Sequence, residues 1–361
     1  MNNRMKWLDF ARGISVLLVV IGHMTSFSYG LGQWIYSFHM PIFFIISGIL
    51  IYLKNDFDQT LKYIVIKKLK TIIFPYISIS LINIIFNFSI SLFSKSFSIN
   101  FIFDTLKVAV KQLITTITFD GLLTLWFLPA LFIAELLFYF CIQTLRKHIL
   151  ILPLVITAVV IFTSLFSMLN FKQYNGYLLY ILKIVNIFSR ALIGFLFLVI
   201  GFFAALLIKK LKPQKWVLAL FGLVFLIINL ILYKYNFVDL HYSIIGNPAI
   251  YYLNAICGSL AILIISFLVG KYVKIIPFFG KNSIVIFTTH LNFSLITLSS
   301  TITSLVFNID NHSVNIIISF FILMIIETLL VLIINKFFKF IINYNKFMDL
   351  FHKNRSMTFS K

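Results

Sequence analysis

Ten apolar runs, each about 17–25 residues long, follow one another from Gly13 to Asn335 with only short polar breaks between them. An α-helix rises about 1.5 Å per residue, so runs of this length are what a chain needs to cross the hydrocarbon core of a bilayer. They fall roughly at 13–30, 34–53, 71–93, 122–145, 149–168, 186–208, 215–233, 249–269, 283–306 and 313–335. A soluble domain of ordinary size, about 100–150 residues, fits nowhere between them. The fold class that follows is all-α, a polytopic transmembrane helical bundle of about ten spans. Composition agrees. Of the 361 residues, 61% are hydrophobic and only 11% charged, against about 45–50% and about 25% in soluble domains.

The net charge of +20 invites a nucleic-acid partner, but the basic residues form no single face interleaved with aromatic platforms. They gather in alternate breaks instead. With the N-terminus inside, the inner segments hold Arg4, Lys6, Lys54, Lys62, Lys67, Lys68, Lys70, Arg146, Lys147, Lys209, Lys210, Lys212, Lys215, Lys271, Lys274, Lys281 and the tail from Lys336. The outer segments hold Lys95, Lys107, Lys111, Lys172, Lys183 and Lys234. This bias predicts both termini in the cytoplasm and membrane lipids, not nucleic acid, as the partner of the charge. Residues 94–120 carry Asp104, Lys107 and Lys111 among apolar residues at helical spacing, and read as an outer interfacial helix. Residues 169–185, with Tyr174, Tyr177 and Tyr180, suit a headgroup belt. The first run has no small-residue cleavage site after it, so a removed signal peptide is not expected. Cys141 and Cys257 fall inside predicted spans and offer neither a disulfide framework nor metal-ligand spacing, so no metal is expected.

Seven ionisable residues lie in or at the edges of the apolar runs: Arg12, His23, His39, Glu135, Arg190, His290 and Glu327. Hydrocarbon penalises Arg or Asp by about 2.5–3.5 kcal/mol on insertion scales, which makes each such group a candidate for function. Arg12 and His23 have ten residues between them, so they stand about three turns and about 16 Å apart on one helix face. Arg12 is expected at the membrane rim and His23 near mid-depth. The next block, Phe38-His39-Met40-Pro41, follows a short outer turn, so the two helices form an antiparallel hairpin that sets both imidazoles at similar depth. An imidazole titrates near pH 6.5 (about) and is the side chain suited to act as a general base; the alternative is a pair of histidines satisfied by neighbouring helices. Pro41 is expected to bend its helix and free backbone carbonyls. Asp9, three residues before Arg12, either orients the arginine or caps the helix.

Glu135 follows Leu125-Trp126-Phe127-Leu128-Pro129; Arg190 and Glu327 lie in later spans, and pairing within the protein, Arg190 with Glu135 for example, stands beside a role in contacting substrate. Gly280-Lys281-Asn282-Ser283, ahead of His290, is a polar helix start whose lysine can attract an anion. Lys67, Lys68 and Lys70 sit where the third span leaves the cytoplasm. A basic cytoplasmic mouth with a histidine some 16 Å deeper suits a long ligand, with phosphates at one end and a reactive group at the other. An acyl-coenzyme A has that shape.

These residues resemble integral-membrane acyltransferase family 3, and within it the branch related to fucose 4-O-acetylase. The likeness rests on Trp7-Leu8-Asp9-Phe10-Ala11-Arg12-Gly13 ending in Gly22-His23, on Phe38-His39-Met40-Pro41 with Phe43-Phe44 and Ser47-Gly48, on Leu125-Trp126-Phe127-Leu128, and on Gly280-Lys281-Asn282-Ser283 leading to His290. It implies one membrane-embedded acyltransferase domain over 1–361 with no separate extracellular domain, in a bacterial plasma membrane. The implied reaction moves an acyl group, usually acetyl from acetyl-CoA, onto a hydroxyl of an envelope polysaccharide or a lipid-linked glycan. On this likeness Arg12 and His23 are the functional pair; the reading of the residues themselves adds His39 and Asp9 as catalytic candidates, and Arg12, Lys67, Lys68, Lys70 and Lys281 as the residues that hold the donor. Trp126, Glu135, Arg190, His290 and Glu327 are core polar candidates. The branch often has Lys where this chain has Arg12. A transporter or flippase of lipid-linked glycans is the main rival; it would be favoured by two similar halves, and none is seen.

Overall fold

The computed structural model describes residues 5–24, 30–93, 99–145, 151–169, 173–307 and 311–350. Its helices are α1 Lys6–Met24, α2 Leu31–Tyr36, α3 Pro41–Leu53, α4 Leu61–Lys68, α5 Phe74–Phe93, α6 Ile99–Ile117, α7 Phe127–Leu145, α8 Leu152–Ser167, α9 Gly176–Leu211 and α10 Lys215–Leu232. They continue as α11 Pro248–Val269, α12 Ile275–Lys281, α13 Ser283–Thr289, α14 Leu295–Phe307 and α15 His312–Phe337. The described residues form no named strand, only an isolated antiparallel bridge between Asp239 and Ile244. The chain divides into two compact units, residues 1–61 with 133–287, and residues 62–132 with 288–361.

In the first unit α1 packs on α12 and α11, α3 on α9, and α10 on α11. The closest contacts are made by backbone. A Cβ placed on Gly48 of α3 would overlap the Leu198 carbonyl of α9, and one on Gly201 of α9 would overlap the Ile45 carbonyl of α3. The same reciprocity joins α1 to α12, where Gly13 abuts the Ile276 carbonyl and Gly280 abuts that of Asp9. Helices in lipid gain little from excluding water from one another, so small residues that let backbones approach supply the packing energy. In the second unit α5 packs on α6 and α14 on α15. Asn311 caps α15 by accepting from the Ser313 and Val314 amides at 3.0 and 3.2 Å.

Eight helical stretches among the described residues are long and apolar enough to cross a bilayer. The fifth expected span is the 16-residue α8, and the ninth is broken into α13 and a 13-residue α14. The break falls at 290–294, where Asn292 turns its amide onto the Thr288 carbonyl at 3.0 Å and Ser294 takes a left-handed φ of 56°. The second span is also interrupted. Ser37 donates to the Trp34 carbonyl at 2.6 Å, the chain turns through 37–40, and Pro41 opens α3. Pro41 is therefore a helix starter, where its missing N–H costs nothing, and not a kink inside a helix. The sixth span starts ten residues earlier than expected, because nothing between Gly176 and Asn186 breaks the helix, and α9 runs for 36 residues. Residues 99–117 are helical, as the amphipathic pattern requires.

Candidate active site

His23 lies in the last turn of α1, one residue before Met24, and Arg12 sits three turns back along the same helix. His23 thus falls in the last described turn of α1, which reaches back to Lys6. His39 lies in the turn that separates α2 from α3. Tyr36, the last residue of α2, joins the two. Its hydroxyl is 3.2 Å from His23 Nδ1, its ring meets His23 edge-on at 6.0 Å, and it meets His39 edge-on at 4.8 Å. The histidines expected at similar depth are therefore flanking one tyrosine. His39, only 4% exposed, donates its Nδ1–H to the Ile35 carbonyl at 2.9 Å. A carbonyl only accepts, so this bond fixes the tautomer and leaves the lone pair on Nε2.

A network of side-chain amides holds the turn in place. Trp34 Nε1–H donates to Asn229 Oδ1 at 2.6 Å, and the Asn229 amide donates to Asn254 Oδ1 at 2.7 Å. Asn229 and Asn254 come from α10 and α11, two otherwise apolar helices. Sequence reasoning passed over Tyr36, Asn229 and Asn254; the available signal was a lone amide inside each apolar run.

At the opposite end of α1, Asp9 is buried in the first turn and Arg12 half-buried one turn later. Asp9 is inside the helix, not at its cap, since the Leu8 and Asp9 amides already donate to Met5. Gly280 rests on the Asp9 carbonyl, which brings the exposed Lys281 to this same end of the helix. Lys67, Lys68 and Lys70 belong to the second unit, on the last turn of α4 and the π-helical segment Leu69–Ile73 that leads into α5. There Lys70 Nζ lies 5.0 Å from the Tyr344 ring and Lys67 Nζ 5.7 Å from Tyr63.

The remaining candidates find polar company. Glu135 accepts from the Ser47 hydroxyl across α7 and α3. Arg190 Nη1 points at the His241 carbonyl, 3.5 Å away, in a loop that Asn186 and Ser243 also pin: Asn186 donates to that carbonyl at 3.1 Å and Ser243 donates to Asn186 at 2.7 Å. In the second unit, Thr289 donates to both oxygens of the fully buried Glu327, at 2.9 and 2.8 Å, with the buried His290 next in sequence. Trp126 is buried in the 3-10 turn Leu123–Trp126, whose Thr124 hydroxyl accepts from Asn292 at 2.7 Å. Asn83 closes the group by donating to the Asn292 carbonyl.

The fold is that of an all-helical, multi-pass membrane protein, in which α1 carries Arg12 and, three turns on, the His23 that meets Tyr36. The particular class comes from comparison: a family model described as an acyltransferase domain matches residues 5–336, and the chain belongs to acyltransferase family 3. Neither a curated protein nor a solved structure matches the chain.

Proposed function

We propose that this membrane acyltransferase is an O-acetyltransferase of the fucose 4-O-acetylase-like branch, working in a bacterial plasma membrane. It takes acetyl from cytoplasmic acetyl-CoA and places it on a hydroxyl of an envelope polysaccharide or lipid-linked glycan. The observation that carries this reading is the His23–Tyr36–His39 cluster, whose His23 shares α1 with Arg12 three turns back. Arg12 and Lys281 attract the donor's phosphates at one end of α1, and Lys67, Lys68 and Lys70 of the second unit are further candidates for holding the donor.

At the other end His23 acts as the base. In the tautomer suited to that role Nδ1–H donates to Tyr36 Oη, and Nε2 carries the lone pair. Nε2 takes the proton from the acceptor hydroxyl as its oxygen attacks the thioester carbonyl; the carbon–sulfur bond then breaks, and the imidazolium returns the proton to the leaving thiolate. His39, with its tautomer set by Ile35, supports the same proton transfer. The match to an acyltransferase family favours this enzyme over the flippase rival.

Purified protein incubated with labelled acetyl-CoA tests the reading. Label is expected to leave CoA, by slow hydrolysis alone and faster when a hydroxyl acceptor is supplied. Intact acetyl-CoA under both conditions would overturn it.

A further inference from the structure

Helix α6 is amphipathic in the inverse sense to a soluble helix. Phe103, Leu106, Val110, Ile114 and Ile117 stand exposed on one face, while Thr105, Ala109, Gln112 and Thr116 recur at spacings of four, three and four on the face turned to α5. Along α5, Ser80, Asn83, Asn87 and Ser91 make a matching polar row. Tyr76 fixes the antiparallel register by donating to the Thr116 carbonyl at 2.7 Å. Polar faces turned inward, with apolar faces outward, are what a membrane protein builds around a polar cavity.

The cavity is present. Asn87, Ser91, Thr105 and Gln112, with the rings of Phe88 and Phe101, line a groove of about 370 Å³, within the about 300–1,000 Å³ usual for small-molecule sites. Its chemistry narrows the ligand. Among the described residues that line it there is no lysine or arginine, and the lining carboxylate of Asp104 is paired with Lys107 at 3.0 Å, so this lining is not made for phosphates. An acyl chain would leave unused the hydrogen-bonding capacity that the amides and hydroxyls keep beyond their bonds within the protein. Amide and hydroxyl groups that both donate and accept, beside two flat apolar rings, match a neutral ligand with many hydroxyls and C–H faces. Asn87 is pre-positioned for this: it donates to Asn83 at 3.1 Å, and Asn83 donates to Asn292.

We propose that the α5–α6 groove binds a neutral saccharide and, resting on the acetyl-transfer reading above, that this saccharide is part of the acceptor glycan. With the N-terminus in the cytoplasm, α5 runs outward from Lys70, which turns the groove toward the outer face, where envelope glycan is found.

The test is binding of labelled, detergent-purified full-length protein to an array of neutral oligosaccharides, followed by titration of the best binder. Asn87→Leu removes the amide, Ala109→Phe fills the groove, and Val110→Phe adds the same bulk on the opposite face; thermal melting checks that each is folded. Binding to at least one saccharide, weakened about tenfold or more by both groove variants and unchanged by Val110→Phe, is the expected result, an effect the size of one or two lost hydrogen bonds. Absence of binding across the array, or equal binding by wild type and both groove variants, would overturn the site. Acetyl-CoA hydrolysis is measured in parallel without saccharide. Its absence in wild type sinks the acetyl-transfer reading, while the binding data judge the groove by themselves.

Discussion

The two units of this protein hold their helices together by different means, and the difference decides where chemistry is available. In the first unit glycines let backbone meet backbone, Gly48 against Leu198, Gly201 against Ile45, Gly13 against Ile276 and Gly280 against Asp9, and these contacts use no polar side chain. His23 and His39 are thereby left to a local cluster around Tyr36. In the second unit side-chain amides and hydroxyls join the elements: Asn83 to Asn292, Asn292 to Thr124, Ser319 to Thr303 at 2.9 Å. Bonds of this kind replace water for groups that hydrocarbon would otherwise penalise, at a modest net gain. His23 and His39 are thus candidates for catalysis, whereas first-unit amides such as Asn229 and Asn254, like the polar groups of the second unit, are candidates for structure or for holding a polar ligand.

The largest expected effect follows directly. His23→Ala should lower acetyl transfer by about 10²–10⁴-fold, the range of a lost general base, and leave the melting temperature within a few degrees of wild type, because the glycine contacts of α1 are intact. His39→Ala should lower transfer less. Tyr36→Phe should fall between His39→Ala and wild type, since it removes an orienting partner and keeps the ring. Wild-type turnover by a folded His23→Ala protein would break the division of labour.

Next in size is stability. Gly201→Leu drives a side chain into the Ile45 carbonyl, and since backbone cannot swing aside as a side chain does, α3 must move. Overpacking of this kind costs about 1–3 kcal/mol and at times more, so yield and melting temperature should both drop. Asn292→Leu should cost about 1–3 kcal/mol, the cost of losing the amide's donations to the Thr124 hydroxyl and the Thr288 carbonyl. Transfer per folded molecule should survive Gly201→Leu if the glycine contacts serve packing alone. A Gly201→Leu protein as stable as wild type would show that the close approach contributes nothing.

The same contrast explains what could be read before the structure. Hydropathy runs mark the apolar helices but not their breaks or starts, and charge and imidazole are rare enough in such runs that Arg12, His23 and His39 stand out. Tyr36 does not stand out among 16 tyrosines; only its contact with His23 gives it meaning. Asn229 and Asn254 become a pair through the packing of α10 on α11, which no local pattern encodes. Pro41 gives one signal for two structures, a kinked helix and a helix start, and the turn at 37–40 decides between them. The start of α9 went unread because residues 176–185 lack a breaker, and amphipathic tyrosines suit a helix as well as a belt.

The smallest effect concerns the arginine end of α1. Arg12→Ala should raise the KM for acetyl-CoA by about tenfold, or about 1.4 kcal/mol, and leave kcat and the acceptor's KM close to wild type, since Arg12 is about 16 Å from the imidazoles. Arg12→Lys should keep most of the affinity, because an ammonium supplies the same charge to a phosphate while lacking the guanidinium's two-pronged geometry. Raising salt should narrow the gap between Arg12→Ala and wild type, as screening weakens an attraction at a half-exposed rim. A direct titration in which Arg12→Ala binds acetyl-CoA as wild type does would turn Arg12 into a residue that orients α1 against α12. The donor would then have to be held by Lys281 or by the lysines of the second unit, and paired substitutions there would show which.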